Sequence, residues 1–455
     1  MVLVDRRAGL KGSICVPGDK SIAHRALFFA AQAYGATLII GLPEGSDVNA
    51  SLNAIEKLGA KVSLSVGEDG IVSAMVEGWG IDGPKLQMPE DVHTVDCGNS
   101  GTTARFILGM LSGYPIKISL DGDSSLKSRP MRRLLDPLCS MGLSCSSCTW
   151  PIEICGVERL KPITVELPVA SAQMKTALLF AALRASGTSR IVEPAASRDH
   201  TERLAEAFDI KLVKLSDENG FEITGPQAPC APCDPIVIPG DFSSAAFWIA
   251  AALCIPESDL TIEGVGLNPT RLGFVKALQA MGANVSAECI DDGVSEPYGR
   301  IRAAYTERVR PCETPANESA TFIDEVPLLA IMCARATGDS LIRNIGELQL
   351  KECDRLAAVI DMLSQCGINA RVIENEDGSL DLAICGKTQF KVPDGIKVSA
   401  YRDHRIAMAW AVLSAACHVQ IRLDAGDIDS ISISYPGFLD EFSHRLGYAP
   451  IVRVE

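Results

Sequence analysis

Lys351-Glu352-Cys353-Asp354-Arg355 sets two acids and two cations within five residues, and Asp324-Glu325 places two more acids just ahead of an apolar stretch. Carboxylates of this kind can give and take protons, while guanidinium and ammonium groups beside them can hold a carboxylate or a phosphate. Further cations stand where turns give way to apolar segments. In Pro17-Gly18-Asp19-Lys20-Ser21-Ile22-Ala23-His24-Arg25, Ser21 and Arg25 lie four apart on one helical face with Lys20 beside them. Arg129 precedes Pro130, Arg198 sits in Ser197-Arg198-Asp199-His200, and Arg405 follows Asp403-His404. A cation at a helix N-terminus opposes the macrodipole by about a few tenths of a kcal/mol, whereas an anion there gains from unpaired N–H groups.

Two segments add donors without charge. Cys97-Gly98-Asn99-Ser100-Gly101-Thr102-Thr103-Ala104-Arg105 is a Gly-rich helix start in which Gly101 lets a ligand approach the backbone and Asn99 or Thr102 can cap. Ser171-Ala172-Gln173-Met174-Lys175 supplies hydroxyl, amide and ammonium groups. Each segment alone is also what a plainly capped helix, or a solvated face of paired charges, would show. A nucleotide phosphate loop does not fit, because Gly12 and Gly18 lack the Gly-x-x-x-x-Gly-Lys-Ser spacing.

What positions these residues is a repeat. Roughly every 70 to 85 residues a polar start leads into a short Ala-rich helix, a β-branched strand, a loop, an amphipathic helix and another strand. Six copies fill the chain, with first helices over 26–31, 105–111, 177–183, 245–253, 326–331 and 406–413. All are apolar around most of their circumference, as buried helices are. Strands are expected at 37–40, 116–120, 188–192, 260–262, 340–342 and 419–423. The second helices mostly end in Gly, as in Leu278-Gln279-Ala280-Met281-Gly282. Six units could form one solenoid or two three-unit domains, and length favours two domains with crossovers at Pro17-Gly18 and Pro239-Gly240. Recurrence lifts the charged segments above their separate readings, since equivalent helix starts face a common cleft.

Composition narrows the ligand. With 455 residues, 47% apolar and 22% charged, the chain can bury sizeable cores. Its net charge of -15 argues against nucleic acid and anionic membranes, so cations must be focused locally on a small, multiply negative substrate. No apolar run reaches the roughly 18 residues of a membrane span, and Met1–Arg7 shows no basic stretch followed by a long apolar core, so a cytoplasmic location is the expectation. The 16 cysteines are scattered and read as reduced thiols. The pairs Cys145/Cys148 and Cys230/Cys233, with Cys155, lack a compact four-ligand zinc spacing.

At these residues the chain resembles the 5-enolpyruvylshikimate-3-phosphate synthase (3-phosphoshikimate 1-carboxyvinyltransferase) family over nearly its whole length. Pro-Gly-Asp-Lys-Ser, Gly-Asn-Ser-Gly-Thr, Arg-Pro-Met, Ser-Ala-Gln, Lys-Glu-Cys-Asp-Arg and Asp-His-Arg occur in the family's order. The resemblance implies an α/β (α+β) fold of two similar inside-out α/β barrel domains, each of three βαβαββ repeats, with an interdomain active-site cleft. It implies a discontinuous domain of residues 1–19 and 240–455, carrying the phosphoenolpyruvate side and the catalytic acids, and an inserted domain of residues 20–239 on the shikimate 3-phosphate side. The reaction implied is enolpyruvyl transfer from phosphoenolpyruvate to the 5-hydroxyl of shikimate 3-phosphate, a step of chorismate and aromatic amino-acid synthesis. No cofactor or metal is expected, and the implied state is a monomer acting on small molecules.

The match implies Asp324 as base at the 5-hydroxyl, Glu352 as the group exchanging a proton at the methylene carbon, and Lys20 as a cation shared by both substrates. It implies Lys20, Ser21, Arg25, Ser171, Ala172, Gln173, Arg198, Asp324 and Lys351 around shikimate 3-phosphate, with Ala172 where some members have a second serine. Around phosphoenolpyruvate it implies Lys20, Gly101, Arg129, Gln173, Arg355 and Arg405, with Gly101 leaving room for the competitor glyphosate. Ile433-Ser434-Tyr435-Pro436 lacks the lysine that some members carry there, which points to the second sequence class. The alternatives are the related transferase acting on UDP-N-acetylglucosamine and a non-catalytic anion binder. The first needs a Cys on a Pro-Gly-rich loop, absent near Gly113-Tyr114-Pro115. The second gains nothing from acids among its cations.

Overall fold

The computed structural model describes residues 9–68, 70–86, 94–291, 295–388 and 391–454. The stretch Met1–Arg7, read above for a leader, lies outside them. Among the described residues no helix is long and apolar enough to cross a membrane.

The chain forms two compact units. One is assembled from Met1–Pro17, Pro239–Asp292 and Pro297–Glu455, and the inserted one from Gly18–Ile238 with Gly293–Glu296. Each first sheet is completed by a strand distant in sequence. In the discontinuous unit, Lys11–Cys15 runs parallel to Asp259–Gly266, which continues antiparallel to Tyr298–Ala304 and then Val285–Asp291. In the inserted unit, Ile236–Val237 runs parallel to Ala36–Ile40, followed by Val72–Glu77 and Lys61–Val66. The inserted unit repeats this order twice more, around Lys117–Asp121 and Gly187–Glu193.

Each unit buries three helices. In the inserted unit these are Lys20–Gln32, Gly101–Leu111 and Ala172–Ala182, and in the other Phe242–Cys254, Val326–Ala334 and His404–Ala416. Having apolar residues on all sides, they cannot lie on a surface. Phe28, Phe106 and Phe180, one from each helix, meet with ring centroids 5.5 to 6.2 Å apart at the centre of the inserted unit. Gly109 allows this closeness, because a Cβ there would stand 2.0 Å from the carbonyl oxygen of Ala177. Surface helices Gly273–Ala280 and Arg355–Gln365 end near Gly282 and Gly367, both at positive φ.

Five of the six buried helices start on an acidic or hydroxyl cap. Asp19, Ser100, Ser171, Asp241 and Asp403 accept backbone N–H groups of the first turn at 2.7 to 3.4 Å. The cap of the Gly101 helix is therefore Ser100, not Asn99 or Thr102, whose side chains turn to other partners. The Val326 helix begins instead with a proline in its first turn, after the 3-10 turn Ile323–Glu325.

Candidate active site

The helix starts gather side chains into a cluster in each unit. In the inserted unit Arg25 is buried, and three of its five N–H donors are spent on neutral protein oxygens. Nε donates to Thr201 Oγ1 at 2.7 Å, Nη1 to the Ser21 carbonyl at 2.7 Å and Nη2 to the Ala172 carbonyl at 3.3 Å. Its guanidinium also lies 5.3 Å from the Phe106 ring centroid. Arg198 Nη1 donates to Ser21 Oγ at 3.2 Å, and Lys20 Nζ pairs with Asp47 Oδ2 at 3.0 Å. Burial, with Arg198 second, pulls the Arg25 guanidinium down to about 10. A group in that condition gains from any anion brought to it.

Next to it lies a second arginine pair. Arg105 Nη1 donates to Gln173 Oε1 at 2.7 Å and to the Gly101 carbonyl at 3.1 Å, and Gln173 Nε2 reaches Thr102 Oγ1 at 2.9 Å. Arg129 Nη2 donates to Asn99 Oδ1 at 2.7 Å, and its buried Nε meets no acceptor among the described residues. A Cβ on Gly101 would stand 2.7 Å from Arg105 Nη1 and 3.2 Å from Arg129 Nη1, so any side chain there would displace the ends of both arginines. Arg105 closes the segment quoted from sequence but was given no role there, although a signal existed. Ser21–Arg25 and Gly101–Arg105 share the same spacing of four, and both arginines bond the carbonyl four residues back.

Three residues of the motifs have structural places instead. Lys175 is no donor at a helix start: it is buried between Glu193 and Glu202, 2.8 Å from each. Burial works against its charge, but Glu202 and Glu193 hold it above the ordinary lysine value. Asp199 gives no side-chain cap to its helix, and its carboxylate takes Arg203 Nε at 3.0 Å. His24 is buried with Nδ1 2.7 Å from Ser51 Oγ, and burial drives it down to about 3, so it stays neutral.

In the discontinuous unit the centre is Arg355, 1% exposed. Its Nε donates to Asp403 Oδ2 at 2.9 Å, Nη2 to Glu352 Oε2 at 2.6 Å and Nη1 to Asp324 Oδ1 at 3.4 Å. Burial opposes its charge, yet Asp403, Glu352 and Asp324 together raise it above an ordinary arginine. Asp324 also faces Lys351 Nζ at 3.5 Å and Arg405 Nη2 at 3.8 Å. Glu325, fully withdrawn, accepts from Ser243 Oγ at 2.5 Å and lies 3.7 Å from Arg405. Of the two acids singled out from sequence, Glu352 has 28% of its side chain exposed and Asp324 13%. Cys353 donates from Sγ to Asp403 Oδ2 at 3.6 Å, and burial with Asp403 pushes its thiol well up, so it is no thiolate nucleophile. Asp403, 0% exposed, was quoted in its motif without a role. Nothing in the sequence distinguishes an acid that caps a helix from one that also braces an arginine.

The structure thus brings Asp324, Lys351, Glu352, Arg355 and Arg405 together in one unit. In the other it joins Lys20, Ser21, Arg25, Ala172 and Arg198, with Gly101, Arg129 and Gln173 alongside; Ser171 caps the helix between them. Such a chain offers proton-transfer acids braced by cations and a set of cations suited to phosphate and carboxylate.

Comparison with other proteins agrees with that chemistry. The sequence profile described as EPSP synthase (3-phosphoshikimate 1-carboxyvinyltransferase) matches residues 4–442. A 3-phosphoshikimate 1-carboxyvinyltransferase of Coxiella burnetii is 41% identical over 441 residues, covering 96% of this chain and 95% of that one. One from Gluconobacter oxydans is 42% identical over 439 residues, covering 95% and 94%. The solved EPSP synthase of Acinetobacter baumannii superposes with a TM-score of 0.79 at 33% identity, over 97% and 96% of the two chains. An enolpyruvyl transferase from Streptomyces tendae, 18% identical with a TM-score of 0.73, shares the fold. The chain is an enzyme of mixed α/β fold, a transferase. It belongs to the EPSP synthase family.

Proposed function

We propose that this chain transfers the enolpyruvyl group of phosphoenolpyruvate to the 5-hydroxyl of shikimate 3-phosphate, releasing phosphate and 5-enolpyruvylshikimate 3-phosphate. The observation that carries the reading is the convergence of Asp324 and Glu352 on the buried Arg355, which braces two candidate proton-transfer groups within reach of further cations. Family membership supplies the substrates.

In this reading the 5-oxygen adds to C2 of phosphoenolpyruvate, its proton passes to Asp324, and C3 takes a proton from Glu352. The bond from C2 to the phosphate oxygen then breaks, phosphate leaves with the electron pair and takes up the proton held by Asp324, and Glu352 recovers a proton from C3. Lys20 touches both substrates. Ser21, Arg25, Ser171, Ala172, Gln173 and Arg198 hold shikimate 3-phosphate, with Asp324 and Lys351 at the ring. Gly101, Arg129, Gln173, Arg355 and Arg405 meet phosphoenolpyruvate. The neutral-acceptor partners of Arg25 and the acceptorless Nε of Arg129 support anion binding by the inserted unit. Because Arg355 already serves three carboxylates, its part is to hold the acids as much as to meet the substrate.

The test is phosphate release with both substrates together and with each alone, and identification of the enolpyruvyl ether by proton magnetic resonance. Phosphate only with the pair, alongside the ether, is the expected result. Phosphate released with UDP-N-acetylglucosamine in place of shikimate 3-phosphate would transfer the assignment to the sister reaction.

A further inference from the structure

Glu193 closes the strand Gly187–Glu193 and is 3% exposed. Its Oε1 accepts the backbone N–H of Ser171 at 2.9 Å, and its Oε2 accepts the Ser197 hydroxyl at 2.7 Å and the Lys175 ammonium at 2.8 Å. Lys175 in turn reaches Glu202 Oε1 at 2.8 Å, on the helix His200–Ala207. One carboxylate therefore joins the start of the Ala172–Ala182 helix to the loop bearing Arg198, while its counter-ion joins both to a third element. Taking three charged groups out of water is costly, and an apolar core of the same volume is often as stable, so fold stability alone does not account for the arrangement. What it does supply is a fixed separation between Ser171 and Ser197, with Arg198 one residue on.

We propose that Glu193, with Lys175 as its counter-ion, is a positioning residue for the phosphorylated ring substrate: it sets the spacing of the Ser171 helix start and the Ser197-Arg198 loop. The proposal rests on the assignment of Ser171 and Arg198 to shikimate 3-phosphate. It predicts an effect concentrated on one of the two substrates, because Glu193 holds Ser171 and the Ser197-Arg198 loop directly, whereas of the phosphoenolpyruvate set only Gln173 lies on the helix it anchors.

The experiment is steady-state kinetics of Glu193→Gln and of the double variant Lys175→Met/Glu193→Met, with Arg198→Ala as the direct-contact control and thermal melting of each. A Michaelis constant does not depend on how much of the protein is folded, which separates geometry from stability. Glu193→Gln should raise KM for shikimate 3-phosphate about tenfold or more and leave KM for phosphoenolpyruvate within about twofold. The double variant leaves Glu202 buried without its cation and should melt below the wild type, yet its folded fraction should show the same raised KM for shikimate 3-phosphate. Unchanged KM values with kcat falling only as folded protein is lost would overturn the proposal, as would equal rises for both substrates. If Arg198→Ala leaves KM for shikimate 3-phosphate unchanged in an enzyme that turns over, the substrate assignment itself fails and the proposal falls with it.

Discussion

Arg25 and Arg355 are both buried arginines at helix starts, and their surroundings are opposite. Arg25 donates to a threonine hydroxyl and two carbonyls, and burial lowers it toward about 10. Arg355 donates to three carboxylates, which lift it above the ordinary value despite burial. Arg129 follows the first pattern, with amide and hydroxyl partners, and Arg405 the second, beside Asp324 and Glu325. A guanidinium held by neutral acceptors keeps its charge available to a ligand. One held by acids is a scaffold for them, and its worth lies in where those acids point. On the proposed function, the inserted unit supplies the cations whose charge is left for anions, and the discontinuous unit braces the acids that would move protons while Lys351, Arg355 and Arg405 also meet substrate.

The contrast can be broken most forcefully at Asp403. Asp403→Ala removes the buried partner of Arg355 and should cost about 3–5 kcal/mol of stability, the range for breaking a buried pair, seen as a lower melting temperature with activity lost. A variant melting like the wild type would show that Arg355 needs no bracing. In the inserted unit, Arg129→Ala should leave the fold intact and raise KM for phosphoenolpyruvate about 10- to 100-fold, the loss of one charged hydrogen-bonding group. An equal rise for shikimate 3-phosphate would contradict the separation of the two anion sets. A smaller effect is due at Gly101. In Gly101→Ala the new methyl group must push Arg105 and Arg129 aside, so KM for phosphoenolpyruvate should rise by about tenfold or less and glyphosate should compete less well.

The mildest prediction concerns pH. His24 is neutral in the folded protein down to about 3, whereas an unfolded chain protonates it near its ordinary value of 6.5. The unfolded state then binds more protons between those values, so stability falls as pH drops through 6.5 toward 3. His24→Gln should shorten that decline in melting temperature while lowering stability at pH 7 slightly. An identical acid profile would remove His24 from the balance.

Much of this was readable from residue order. Lys20, Ser21, Arg25, Asp324 and Arg405 stand in or just ahead of helices that the periodicity located, because apolar stretches of that length leave little choice of structure. What sequence could not supply was the direction of each side chain. Lys175 looked like a ligand donor and is instead enclosed by two glutamates; Ser100, rather than its neighbours, caps; and Arg105 was given no role beside a glycine where any side chain would displace it. These depend on which neighbours surround a residue in three dimensions. Nor does any pattern reveal that Glu296 is counted with the inserted unit, where its Oε1 lies 2.6 Å from His200 Nδ1.

The division between holding anions and moving protons is tested most directly with Glu352→Gln. Calorimetric binding of shikimate 3-phosphate and phosphate release with both substrates would be measured on the same preparation. We predict binding within about threefold of the wild type and turnover lower by about 10²- to 10⁴-fold, the usual contribution of a general acid–base group. Near wild-type turnover would show that Glu352 moves no proton, and loss of binding would show that the two functions are not divided between the units.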